Sequence, residues 1–376
     1  MEMPIPQFSL PFILFAIYAL AFIDQMIYYW FIFSKLAFYH PTEQSKELLP
    51  VSVVICARNE DYLLKTLLPK ILEQDYPSFE IVVVNDSSTD DTLEYLEDLK
   101  RIHPNISIVN IAQNLNFFSG KKFPIALGIK SAKNDLILLT DPECEPTSNQ
   151  WLKNMASAFT PSKEIVLGYS PIKPDKGLFN TIARYDTMQR AIQYLSYALI
   201  GKTFMGVGRN LAYKKSLFYK SKGFISHYKL QSGDDDLFIN RVATSKNTSI
   251  SIRPESFMYA TFVPYFRLWF LRKQQQLNTI KYFRGGTRYL LGKYELSKFV
   301  IYALFATLLI MEYNIFIVMG LFGLRLLTQL IIVKRSMIVL SERKLWLVSP
   351  MLELLMIFIH FTVRISNVFI KQNKWK

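Results

Sequence analysis

An apolar run from Leu10 to Phe33, interrupted by one acid, Asp24, constrains this chain more than any other feature. At about 24 residues it outlasts an ordinary core element and is long enough to span a bilayer. It has no basic stretch ahead of it and no A-x-A-like cleavage site, so it reads as an anchor rather than a signal peptide. A second apolar stretch, Phe299 to Val333, breaks at Glu312-Tyr313-Asn314, which suits a tight helical hairpin with a short first arm. A third, Leu345 to Ile370, carries Glu353, His360 and Arg364 on one helical stripe. That stripe predicts a helix that lies in the interface or re-enters, with the three polar side chains in polar surroundings.

The net charge of +14 could suggest nucleic acid. The basic residues instead follow the apolar segments: Lys35, then Arg267, Arg272, Lys273, Lys281 and Arg284, then Lys334, Arg335, Arg343 and Lys344. That placement fits anionic lipid headgroups and the positive-inside rule, and argues against a nucleic-acid partner. It puts the middle of the chain on the cytoplasmic side of a cell (inner) membrane crossed more than once. The basic tail Lys371–Lys376 is the odd point in that count. The only cysteines, Cys56 and Cys144, are not expected to form a disulfide in that compartment.

Between the apolar ends the pattern changes. Short apolar runs at Val51–Cys56, Phe79–Val84, Ile106–Ile111 and Leu136–Thr140 read as strands. They alternate with helical periods at Asp61–Leu72, Asp90–Arg101 and Pro124–Ala132. Strand–helix alternation predicts an α/β fold, a doubly wound and mostly parallel sheet. The expected organisation is an anchor over 1–40, the α/β domain over 50–260, an aromatic and basic amphipathic segment at headgroup level over 261–295, and membrane helices over 296–376.

In such a sheet ligands bind outside the carboxyl ends of the strands. Four polar constellations fall there or close by. Arg58, Asn59 and Glu60 follow the first strand, and Asp86 closes the second ahead of Ser87-Ser88-Thr89-Asp90, which also read as helix caps. Ser119-Gly120-Lys121-Lys122 could meet a diphosphate as point charges or be a solvated pair. Asp141-Pro142-Glu143 and Glu145 close the fourth strand, where carboxylates repel unless a cation sits between them. Beyond these, Gly233-Asp234-Asp235-Asp236 opens a helix, and three acids exceed what a cap requires.

Taken in order, with Gly206-Val207-Gly208-Arg209-Asn210 between the last two, these motifs resemble those of the family 2 glycosyltransferases, which have the GT-A fold. The likeness covers roughly Val51 to Phe283. It implies that Arg58, Glu60, Asp86, Lys121, Lys122 and Asp141 meet a nucleotide-sugar donor. It implies that Asp141 and Glu143 hold Mg²⁺ or Mn²⁺, and that Asp235 is the catalytic base. Gly208, Arg209, Asn210 and Asp234 would line the sugar and acceptor pocket. Two departures stand out. The usual D-x-D reads Asp141-Pro142-Glu143, and no Q-x-x-R-W occurs near Arg272-Lys273-Gln274-Gln275-Gln276-Leu277. The second departure favours transfer of a single sugar to a lipid-linked or membrane-proximal glycan acceptor. A processive synthase of the same fold and an inactive nucleotide-sugar-binding partner of a membrane assembly are the rival readings.

Overall fold

The structure, a computed structural model, describes residues 9–41, 45, 47–112, 120–228, 230 and 232–369. Ser119 and the basic tail Lys371–Lys376, both singled out above, lie outside the described residues.

The sheet starts as the alternation dictates. Strands β1 (Val51–Ala57), β2 (Phe79–Asp86), β3 (Ile106–Ile111) and β4 (Leu136–Thr140) run parallel in the order β3-β2-β1-β4. Every residue of β1 and β4 is buried, which is why both read as near-continuous apolar runs. The one polar side chain inside β1, Ser52, donates to Glu80 at 2.6 Å. A short β5 (Cys144–Pro146) and β6 (Ile165–Gly168) follow, then β7 (Leu211–Lys214), β8 (Thr248–Ser251) and β9 (Met258–Ala260). β7 joins β4 antiparallel, β6 and β8 continue the same sheet, and β5 pairs with β9 in a second, two-stranded one.

Helices cover both faces. One face packs Leu64, Leu67, Leu68 and Ile71 with Trp151 and Leu152. The other packs the long helix Leu178–Leu199, and its apolar cluster runs on without a seam into Tyr28, Tyr29, Phe33 and Leu36 of the N-terminal helix. That N-terminal helix loosens to π geometry over Tyr28–Phe33, which buries four of those six side chains.

Among the described residues three helices are long and apolar enough to cross a membrane: Leu10–Ala37, Ile315–Val339 and Ser349–Phe369. The expected hairpin turns at Glu312 and Asn314, both with left-handed backbone. Its first arm begins earlier than expected, at Gly285, so the boundary placed at 295/296 falls inside one continuous helix. The polar residues in the apolar helices are gathered rather than scattered. Arg325, fully buried, pairs with Glu353 at 2.6 Å and also meets Gln329 and Tyr302. Glu353 therefore does sit in polar surroundings.

Candidate active site

The strand order reverses direction between β1 and β4, and the crevice at such a point is where an open α/β sheet holds its ligand. Arg58 and Glu60 follow β1, Asp86 ends β2 and Asp141 follows β4. The loops are laced together. Asn59, in left-handed backbone, donates its N–H to Ser88 at 3.0 Å and accepts from the Thr89 N–H at 2.7 Å. The Asp90 carboxylate accepts at 3.1 Å from the N–H of Thr92, the first residue of the helix Thr92–Ile102. Burial raises the Asp86 carboxyl, against the pull of Arg58.

All three carboxylates after β4 are held by cations. Asp141 pairs with Lys121 at 2.8 Å. Glu143 is gripped at both oxygens by Arg272, at 3.1 and 3.0 Å. Glu145 pairs with Lys173 at 2.7 Å and also with Lys70. Burial pushes the Asp141 carboxyl up, but Lys121, Arg209 and Arg272 outweigh it and hold it below the usual range. Burial pulls the Lys121 ammonium down, and the charges of Asp141, Glu60 and Asp234 more than restore it. Glu60, by contrast, is pushed up to about 7 by burial, with Asp141 and Glu143 adding to the effect and Lys121 opposing it.

The second wall is built from two turns. Gly208–Asn210 forms a single 3₁₀ turn before β7. Asp235 faces it, one carboxylate oxygen accepting from the Gly208 N–H at 2.7 Å and the other from the Asp236 N–H at 2.7 Å. Asp235 thus caps the helix Asp236–Val242 and is fixed in direction by the neighbouring loop. Gly233 permits the approach: its φ is +93°, and a Cβ there would lie 2.4 Å from Leu237. Burial, then the Asp235 charge, pushes Asp234 to about 7 and Asp236 to about 6. Thr279 donates to Asp236 at 2.6 Å.

Lys121, Asp141, Asp234 and Asp86 all act electrostatically on the buried Cys56 thiol at the end of β1. The sequence-predicted residues therefore converge, with two corrections. Lys122 does not join Lys121 at Asp141: its buried ammonium, within electrostatic reach of Asp234, Asp235 and Asp236, donates to the Ser232 carbonyl at 2.7 Å and to that of Leu230. It pins the loop that carries Asp234. Asn210 does not line a pocket: it is fully buried, accepts from Trp151 at 3.0 Å and donates to the Tyr169 and Ser256 carbonyls at 2.9 and 2.8 Å. Gly168 leaves it room, since a Cβ there would lie 2.4 Å from the Asn210 amide.

Two residues of the site were missed in the sequence. Arg272 fits the sequence as a headgroup contact near the place of the absent Q-x-x-R-W, and no pattern marks it as the partner of Glu143. Arg190 sits mid-helix and feels Asp236 and Asp235, with no motif around it. Among the described residues no three His, Cys, Asp or Glu side chains gather to hold a metal ion. Asp141 and Glu143 carry the hard oxygens such an ion takes, and Lys121 and Arg272 occupy them here.

The sequence model of Glycosyl transferase family 2 matches residues 52–221. An uncharacterized glycosyltransferase of Haemophilus influenzae is 32% identical over 107 residues, 28% of this chain and 32% of that one. The poly-beta-1,6-N-acetyl-D-glucosamine synthase of Staphylococcus epidermidis is 29% identical over 121 residues, 31% of this chain and 28% of that one. The chain thus spans about a third of the length of the curated relatives it matches. Among solved structures, the mannosyltransferase PcManGT from Pyrobaculum calidifontis, in complex with GDP-Man and Mn²⁺, shares the fold. Its TM-score is 0.62 at 17% identity, over 97% of this chain and 100% of that one.

Proposed function

The chain carries a family 2 glycosyltransferase domain, and on that footing we propose that it is an inverting enzyme. It would move a single sugar from a nucleotide-diphospho-sugar to a membrane-proximal or lipid-linked acceptor. The observation that supports this reading is the hold of the Gly208 N–H on Asp235, next to an Asp234 that also feels Lys121, the partner of Asp141. A carboxylate fixed in direction is positioned to take the proton of an attacking hydroxyl on a lone pair that neither N–H occupies.

Asp86 and Arg58 stand where the nucleotide would lie, at the carboxyl ends of β2 and β1. Lys121 reaches the acids from the helix side and can turn to a diphosphate. Asp141 and Glu143 would hold Mg²⁺ or Mn²⁺, which supplies Lewis-acid stabilisation of the leaving diphosphate. The acceptor oxygen attacks the anomeric carbon, the bond from that carbon to the diphosphate breaks, and the hydroxyl proton passes to Asp235. The domain faces the cytoplasm, where nucleotide sugars are made, with its helices in the inner membrane.

A panel of nucleotide sugars, assayed for nucleotide release by the full chain in membranes with and without Mn²⁺, tests the reading. Release of one nucleotide that requires the ion, the acceptor and Asp235 is expected. Release from none, with a folded protein, would overturn it.

A further inference from the structure

Next to Asp235 lies a cavity of about 160 Å³ that the donor mechanism leaves unused. Asp236 lines it, and that residue's N–H donates to Asp235 at 2.7 Å. Met356, His360 and Arg364, from the membrane-type helix Ser349–Phe369, line it as well. Leu277, Ile280 and Phe283 supply apolar wall. The cavity therefore borders both the neighbour of the candidate catalytic acid and the apolar helices.

Its charges do not cancel. Lys273 pairs with Asp186 and Lys298 with Glu295. Glu353 is already neutralised by Arg325. That leaves Arg190, Arg288 and Arg364 around the cavity against one further acid, Asp236. Among the described residues Arg190 forms no ion pair and no hydrogen bond, although it stands within electrostatic reach of Asp236 and Asp235. The Gln276 side chain gives its oxygen to Lys273 at 2.6 Å, while its amide nitrogen is buried without a partner. The Arg190 guanidinium is half-buried and keeps its donors for a ligand, while the enclosed Gln276 amide nitrogen is costly to leave unpaired. Both are donors, and a planar guanidinium matches phosphate oxygens two at a time.

We propose that this cavity receives the phosphate group of a lipid acceptor, with Arg190 and Gln276 donating to its oxygens and the apolar chain leaving along Ser349–Phe369. The inference rests on the glycosyltransferase reading and deepens it. A soluble sugar acceptor would need no cationic excess here. A phosphate with no apolar tail would not explain why one wall of its site is built from a helix with membrane-like composition. The lipid phosphate would thus anchor the acceptor here, so that the acceptor's hydroxyl reaches Asp235 while the donor enters from the sheet side.

The test uses the full chain in neutral detergent micelles, with dodecyl phosphate, dodecanol and inorganic phosphate as separate probes. Dodecyl phosphate should bind at least ten-fold more tightly than either of the others. Arg190→Ala should weaken it by ten-fold or more, Gln276→Leu by several-fold, and Arg190→Lys should recover part of the loss. Arg267→Ala, on the exposed face of the neighbouring helix, should leave binding unchanged; an equal loss there would show general attraction to a basic protein and overturn the site. Equal binding by Arg190→Ala and the parent chain would also overturn it. Inorganic phosphate binding as tightly as dodecyl phosphate would assign the cavity to a soluble phosphorylated acceptor and refute the lipid. Nucleotide-sugar binding is measured alongside and should survive Gln276→Leu and Arg267→Ala. Its absence from the parent chain, with Arg190-dependent dodecyl phosphate binding intact, would sink the transferase reading and leave the cavity standing.

Discussion

Arg272 holds both oxygens of Glu143, at 3.1 and 3.0 Å, from a helix whose other side is tied to the last apolar helix. Gln274, two residues on, donates to Ser366 at 2.7 Å and accepts from Asn367 at 3.1 Å. A divalent ion at Glu143 must compete with that guanidinium. Metal loading and the seating of the helix Phe266–Thr279 are therefore coupled through one ion pair.

Arg272→Ala should lower the Mn²⁺ concentration for half-maximal activity several-fold, because Glu143 is no longer neutralised. Asp141→Ala should remove activity at any Mn²⁺ concentration. Metal titrations of nucleotide release decide both, and full activity of the parent chain in excess EDTA would refute the metal assignment.

Asp235→Asn should cut turnover by about 10²–10⁴, the usual worth of general base assistance, while donor binding stays within a few-fold. The amide must also present its NH₂ to one of the two N–H donors that Asp235 now accepts. A modest loss of helix capping, about 1 kcal/mol, should accompany it. Single-turnover kinetics with a parallel melting curve separate the two effects; near-normal turnover would move the base to Asp234 or Asp236.

Asn210→Ala should destabilise the fold by about 1–3 kcal/mol, since the Trp151 N–H and two buried carbonyls lose their partner. Chemical denaturation measures it. An unchanged midpoint would show that water replaces the amide.

His227 gives a pH dependence with a definite sign. Burial first, then Lys122 and Arg241, hold its imidazole down at about 4, against an ordinary value of 6.5. The folded chain thus disfavours the charged ring. The associated stability is present above pH 6.5 and is lost as pH falls from 6.5 towards 4. Replacing His227 with Gln should flatten the melting temperature over that window relative to the parent chain. Parallel curves for the two proteins would remove His227 as the cause.

A cysteine placed at Ser45, between the anchor and β1, should resist an impermeant thiol reagent in intact cells and react after lysis. Labelling in intact cells would put the catalytic domain outside and end the cytosolic-donor mechanism.

What could be read in advance was whatever depends on near neighbours in sequence. β3 and β4 begin and end at the expected residues, β1 overruns by one residue, Ala57, and β2 by the polar Asn85 and Asp86. The acids at strand ends were legible because topology alone places them. β7 was not, because Leu211–Lys214 is four residues long and borrows its strand character from pairing with β4. Lys122 and Asn210 look in sequence like any polar residues of a site motif. Only packing shows that one props a loop and the other fills the space beside Gly168. Arg272 and Arg190 act across long separations, 129 residues in the case of Glu143, and carry no local signature.

The seamless apolar cluster from Tyr28 to the sheet decides how this protein can be handled. Trimming it at Leu48 and Ala260 to obtain a water-soluble enzyme would strip the cover from Tyr185, Met188 and Tyr197 on the long helix, residues packed in one cluster with Tyr29, Phe33 and Met337. It would also remove Arg272 and Thr279, and with them the grip on Glu143 and on Asp236. The part that would make the sugar bond and the part that would sit in lipid are one folding unit, and solubility cannot be reached by subtraction.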